Sequence, residues 1–441
     1  MLLQTITGDQ GCQVAILLIV LTSITPGKTM RTTFLALCLS FVAVSPARAA
    51  DPNASRASDN SPWNQWRGPQ RDGVWAGELP KSLSELSLAW EQPLSPSYSG
   101  PITDGKTVYT TETVDERFER VTAFDLATGD SKWTTQWEGA IKVPPYAAAN
   151  GSWIKSTPAL AEDALVVVGI RDELVCLAPA TGVKRWQIDL AQRFGSQRPH
   201  FGAVCSPIIE DGAVYVQGGG ATLKLSLADG STIWRTLDSD EDDDAFSSPI
   251  IATIAGVKQL VVQTRLKLCG VSIDDGKVLW SEPIQAYRNM NVLTPTIIGD
   301  SVFTAAHSGR SHYFDVTLSG DQWLVKERWN QKVQAYMSSP VVFDDTIYLH
   351  SKNERLTAMD TQTGDILWTG RPMGKYQSLV RNEEVMLVLD ASGELLSVNL
   401  NRDELEILDR RRVANDSWAY LAVIENGLIV RDLNALKVYG W

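Results

Sequence analysis

A repeat of about 40 to 50 residues constrains this chain's fold more than any other feature of its sequence. A small residue, a proline and an apolar pair recur at Pro101, Pro158, Pro207, Pro249, Pro295 and Pro340, spaced 57, 49, 42, 46 and 45 residues apart. Downstream comes an apolar strand, then a turn ending in glycine, then a tryptophan four residues later. Gly129 leads in this way to Trp133, Gly182 to Trp186, Gly230 to Trp234, Gly276 to Trp280 and Gly364 to Trp368. The fifth unit is irregular, with Trp323 and Trp329 after Gly320, and two weaker units at 376–400 and 418–441 lack the proline. Turns such as Asp211-Gly212 feed alternating strands, and helical periodicity is nearly absent. Units of this length with four short strands each predict propeller blades.

Eight units open after residue 99, and the last ends one strand short at Trp441. The segment around Trp90, LSLAWE, matches the strand that carries the recurring tryptophan. The expected fold is therefore all-β, an eight-bladed propeller of four-stranded antiparallel blades, closed by an N-terminal strand that completes the last blade and removes two sheet edges. Merging the two weak units would give seven blades instead. Trp90, Trp133, Trp186, Trp234, Trp280, Trp329 and Trp368 are expected to be structural, each wedged against the next blade with its indole N–H on a carbonyl.

The N-terminus reads as a targeting segment. Within 30–49, Arg31 is a basic start, 34–44 an apolar stretch and Ala47-Arg48-Ala49 a cleavage site, which makes residues 1–29 an over-called start. Residues 50–85 are an extension and 86–441 the propeller. Cleavage after Ala49 changes the net charge from −12 to −14 and leaves Cys176, Cys205 and Cys269, too few and too scattered for a disulfide framework. The acidic balance argues against a nucleic-acid binder. No later stretch is long and apolar enough for a membrane helix. A monomer in the periplasm or cell envelope is expected.

The segments AFDLATGDSKW at 123–133 and AMDTQTGDILW at 358–368 resemble the PQQ-like repeat of quinoprotein-type eight-bladed propellers, over about residues 86–441. WNQWRGPQRDG at 63–73 resembles the leader of secreted PQQ-like repeat proteins of planctomycete-type bacteria. The resemblance implies one of two activities. PQQ-dependent dehydrogenases hold the quinone with a disulfide between adjacent cysteines, a Ca²⁺ bound by Glu, Asn and Asp, and a catalytic Asp. BamB-type outer-membrane assembly scaffolds are non-catalytic. This chain has no adjacent cysteine pair, and its short repeat units leave little room for cofactor-binding insertions. The favoured function is an exported, non-catalytic scaffold that binds an envelope protein and needs no cofactor. The alternative is a PQQ-dependent alcohol or sugar dehydrogenase with Ca²⁺. Against a membrane-anchored scaffold, Leu35 to Cys38 makes a poor lipoprotein box.

Other motifs carry less. Gly100 to Thr107 matches a phosphate loop, but it sits in register with the repeat turns and should continue as a strand. The acidic run at 238–244 could hold Ca²⁺ but lacks the glycine and glutamate of an EF-hand loop. His307 and His312 do not have metal-ligand spacing. The expected partner-binding candidates are Trp137, Tyr146 and Trp153, placed in a long loop from 136 to 156, and Arg198 and Phe201 in the next connection.

Overall fold

The computed structural model describes residues 61–441, apart from 162, 239–244 and 336, together with four short strands near the N-terminus. Two compact units are present, Met1–Pro52 and Asn53–Trp441. The first holds two antiparallel pairs, Thr5–Thr7 with Gln13–Ala15 and Leu18–Ile19 with Leu35–Ala36. Most of the targeting segment read at 30–49 and of the over-called start read at 1–29 lies outside the described residues.

The second unit is an all-β propeller with eight four-stranded antiparallel sheets. Blade 1 comprises Ile102–Thr103, Thr107–Val114, Phe118–Asp125 and Ser131–Glu138. Blades 2 to 7 follow in chain order, with innermost strands Ala159–Ala161, Ile208–Glu210, Ile250–Ile254, Thr296–Ile298, Val341–Phe343 and Ser378–Arg381. Blade 8 takes three strands from Ala422–Gly440 and its outer strand from Ser87–Pro93, with Val438 opposite Trp90. The N-terminal strand thus closes the ring. The phosphate-loop match at 100–107 is a repeat turn between two strands, held by Asp104 Oδ1 accepting from the Lys106 and Thr107 N–H groups.

All eight blades carry a β-bulge between their third and fourth strands. A bulge bends the strand and adds twist, which turns the residue beside it toward the next blade. In seven blades that residue is the recurring tryptophan. Six of these donate Nε1–H to a backbone carbonyl of the following blade. Trp90 reaches Leu126, Trp133 Pro179, Trp186 Leu227, Trp234 Ile273, Trp329 Thr361 and Trp368 Asn401, at 2.8–3.1 Å. Five of the indoles rest on the repeat glycine of that blade, where an added Cβ would lie 2.4–3.1 Å from the ring. These glycines also have φ of 70–75°, so they supply the left-handed turn and the close approach together.

Two seams depart from the pattern. Trp280 is buried, but its indole donates to Gln259 Oε1 of its own blade at 2.7 Å, not to a carbonyl of the next. The turn glycine of blade 5, Gly320, has nothing within 4 Å of where a Cβ would stand, so no indole rests on it. Its long hairpin, Ser311–Ser319 with Gln322–Gln331, lays Trp323 and Val325 against the Trp280 cluster instead. Blade 7 has Asp409 at the bulge position. Its neighbour is the closing strand, so no repeat turn faces it. The carboxylate instead accepts from the Leu83 N–H at 2.7 Å and the Ser82 hydroxyl at 3.1 Å, where the chain enters that strand.

Residues before the repeat prolines form a second set of bonds between neighbouring blades. Gly100 N–H donates to Thr157 Oγ1, Thr157 N–H to Ser206 Oγ, Ser206 N–H to Ser248 Oγ and Thr294 N–H to Ser339 Oγ, at 2.9–3.2 Å. These groups are buried, so each bond satisfies a donor that has no strand partner.

The tryptophan seams are testable by urea unfolding. Trp234→Ala should lower stability by about 3–5 kcal/mol through the cavity it leaves. Gly182→Ala, which sets a methyl against the Trp133 ring at positive φ, should cost about 2–4 kcal/mol. A loss under about 1 kcal/mol in both would refute the seam as the holding contact.

Candidate functional site

The central channel of the ring is filled from one end by the chain itself. Residues 63–75 enter at the end bearing the first hairpin turns, rise, and return to the same end. Thr103 N–H donates to Trp63 O, and Leu160 N–H to Asn64 O. On the way back, Val74 forms a parallel bridge with Arg381, and Arg381 N–H donates to Gly73 O. Two buried arginines lie between. Arg71 donates to Pro207 O at 2.8 Å and Ser206 O at 3.0 Å, and Arg67 to Arg71 O, Asp72 O and Pro340 O. Burial lowers Arg71 to about 9. The segment therefore ties carbonyls of blades 3 and 6 with charge-assisted bonds. Gly68 and Gly73, at φ of 88° and 76°, let it turn. Only the composition of WNQWRGPQRDG hints at this role.

At the other end lies a pocket of about 140 Å³. Tyr98, Phe201, Phe246, Met337 and Trp418 wall it, and Trp66 of the N-terminal segment closes it beneath. Trp66 is held there by Thr294 Oγ1 at 3.0 Å and by the Tyr420 ring at 4.5 Å. Lys155 is the one cationic residue lining the pocket, and no carboxylate lines it. Its Nζ donates to the carbonyls of Gly151, Trp153 and Phe201 at 3.0, 3.1 and 3.2 Å. Burial lowers it to about 8, against a smaller opposing pull from Glu119.

These residues do not fit PQQ with Ca²⁺. A fused-ring tricarboxylate needs several cations and more space than one benzene-sized void, and Ca²⁺ needs carboxylates. Among the described residues no group of three or more His, Cys, Asp or Glu could hold a metal ion. The acidic run keeps only Asp238 in view, paired with Arg235 at 3.2 Å; residues 239–244 lie outside the described residues.

The rim of this face is built by the connections between blades. Tyr146, in the 3-10 turn Pro145–Asn150, is 66% exposed. Its ring meets Phe201 edge-on at 6.0 Å, and Phe201 meets Phe246 at 5.9 Å, which continues the aromatic line into the pocket. Arg198 is half-exposed and pairs with Asp189 at 3.0 Å. Trp153 is partly buried, edge-on to Tyr98 at 5.4 Å, and its indole N–H has no partner. Tyr287, not singled out from the sequence, adds a ring 52% exposed from the connection before blade 5.

Trp137 corrects an expectation. The outer strand of blade 1 runs to Glu138, so Trp137 lies on a strand and not in the loop. It shares a strand face with Trp133, faces blade 2, and is only 5% exposed in that core. It cannot serve as a surface platform. Beside it sits an unexpected group. Glu119 is wholly buried, with Oε1 accepting from Ile170 N–H at 2.8 Å. Glu119 Oε2 and Trp137 Nε1 both border the space beside Gly139, at 3.0 and 2.7 Å from where a Cβ would stand, and neither has a hydrogen-bond partner. Loss of hydration is the main cause that raises the Glu119 carboxyl from 4.5 to about 7, and Glu173 adds to it.

The folded chain holds the Glu119 proton more tightly than the unfolded chain, so the stability is full below about pH 4.5 and is lost as pH rises through about 7. Glu119→Gln should remove that slope and raise stability at pH 8 by on the order of 2–3 kcal/mol relative to wild type. Equal pH slopes in urea melts of the two proteins would count against it.

A family model described as outer membrane protein assembly factor BamB matches residues 80–135 and 117–370. The outer membrane protein assembly factor BamB of Yersinia pestis is 23% identical over 392 residues, covering 84% of this chain and 93% of the relative. Among solved structures, BamB from Moraxella catarrhalis aligns with a TM-score of 0.59 at 15% identity, over 81% of this chain and 98% of that one. Quinohemoprotein alcohol dehydrogenase from Comamonas testosteroni aligns with a TM-score of 0.62 at 12% identity, over 88% and 81%. Likeness at these identities establishes the fold.

Proposed function

From the premise that this chain belongs to the family of outer membrane protein assembly factor BamB, we propose that it is a non-catalytic scaffold, exported to the periplasm or cell envelope, that binds a protein partner there. The filled channel carries the reading. Where a ligand would sit for chemistry, residues 63–75 occupy the axis, and both arginines of that segment are engaged by backbone carbonyls. The pocket above Trp66 has one ammonium and no carboxylate to act with it as acid and base. No cofactor is proposed.

The partner surface we assign is the rim around that pocket. Tyr146 and Tyr287 present large exposed rings on a rigid ring of sheets, and Arg198 and Arg288 stand near them. Aromatic and arginine side chains on a preorganised base are the composition of protein-binding hot spots.

A photo-cross-linking residue at position 146 or 287 should trap an outer-membrane assembly protein in the native host. The same residue at position 366, on the outer strand of blade 6, should not. Tyr146→Ala should weaken that association about tenfold and leave urea unfolding unchanged. Equal trapping from position 366 would remove the rim from consideration. Saturable PQQ binding with Ca²⁺ and dye-linked turnover would overturn the scaffold reading.

A further inference from the structure

The pocket beneath the rim has a chemistry of its own, which does not depend on the protein-partner reading. Its walls are mainly aromatic, thioether and valine side chains, with Asn150, Ser248, Thr294 and Ser339 also lining it, its floor is the Trp66 indole, and its volume of about 140 Å³ is close to the void of about 150 Å³ that accepts one benzene. An apolar void alone would take any small hydrocarbon. This one carries a cation. Lys155 lines it, donates only to neutral carbonyls and forms no ion pair among the described residues. An ammonium in low dielectric without a counter-ion favours an anion beside it. Burial lowers the Lys155 pKa, and the more distant Glu119 carboxyl offsets that only in part. The longest of the three Lys155 bonds, 3.2 Å to Phe201 O, comes from a residue that also walls the pocket, so an arriving carboxylate can replace that acceptor. Asp416, the nearby acid on the connection to blade 8, is turned onto the Tyr98 hydroxyl at 3.2 Å.

The geometry points to a binding site for a single-ring aromatic carboxylate, its ring between Tyr98, Phe246, Met337 and Trp418 over Trp66, and its carboxylate on Lys155. That chemistry occurs in free small aromatic acids and at the end of a peptide whose last residue is phenylalanine. The pocket is open on the rim side, so both sources can present it.

The test uses the purified mature protein and 3-phenylpropanoate, followed by Trp fluorescence and calorimetry, with 3-phenylpropanamide as the uncharged isostere. The acid should bind saturably, and the amide about tenfold more weakly or worse. Lys155→Met should abolish the preference for acid over amide. Met337→Trp, which fills the void and leaves Lys155 in place, should weaken both ligands at least about tenfold, and it reports if the Lys155 variant fails to fold. A short peptide ending in phenylalanine with a free carboxylate separates the sources. Binding by the peptide as well as the acid assigns chain ends; binding by the acid alone assigns a free metabolite. Equal affinity for acid and amide, or acid binding unchanged in Met337→Trp, would overturn the proposal. Loss of rim cross-linking would bear on the partner reading and leave this one standing.

Discussion

An indole N–H set on a neighbour's carbonyl, with the ring lying flat on that neighbour's glycine, is the contact on which the ring depends. Each sheet has only one neighbour on each side, so a propeller has no common core. Stability must come from its seams. The tryptophan serves a seam in three ways. It buries a large apolar area, it satisfies a carbonyl that the turn leaves over, and its face excludes any side chain larger than hydrogen at the facing turn. The bulge found in all eight blades is the geometric condition for this contact, because it turns the residue beside it out of its own sheet.

The ring leaves an axial channel lined by strand edges and backbone carbonyls, and this chain closes it with its own N-terminal segment. A guanidinium is suited to that position because it offers several donors in a plane to carbonyls arriving from different blades. Arg67 and Arg71 bridge the segment to blades 3 and 6, which makes the segment part of the interior. The axis is thereby closed, and the surface proposed for binding is on the opposite face, built by the connections between blades. The exposed rings of Tyr146 and Tyr287 and the pocket above Trp66 are all on that face.

Much of this was legible in the residues. The spacing of prolines and of Gly-to-Trp pairs marked each blade, and the resemblance of the segment around Trp90 to the outer strands placed the closing strand. What was not legible has common physical causes. Trp137 looked like a loop residue because its strand is longer than most of the other outer strands, and strand ends carry little sequence signal. Trp280 shares the motif of its siblings, but its bond depends on Gln259, brought beside it only by pairing. Asp409 is an ordinary acid in sequence and a seam contact only because the chain enters its closing strand beside it. Glu119 alternates along its strand like any polar residue. Its burial follows from the Trp137 side chain and the edge of blade 2 closing over it.

By itself the sequence determined the repeat, the strand order within each blade and the closing strand, because local turn chemistry and period-two patterning are properties of neighbouring residues. Only the tertiary structure decided what fills the channel, which tryptophans face water, which carboxylate is buried and where a pocket with a lone ammonium forms. Each of those is set by contacts between residues far apart in the chain, such as Arg71 with Ser206 and Pro207, and Trp66 with Thr294. Nothing in the spacing of the motifs records which distant groups the closed ring brings within reach.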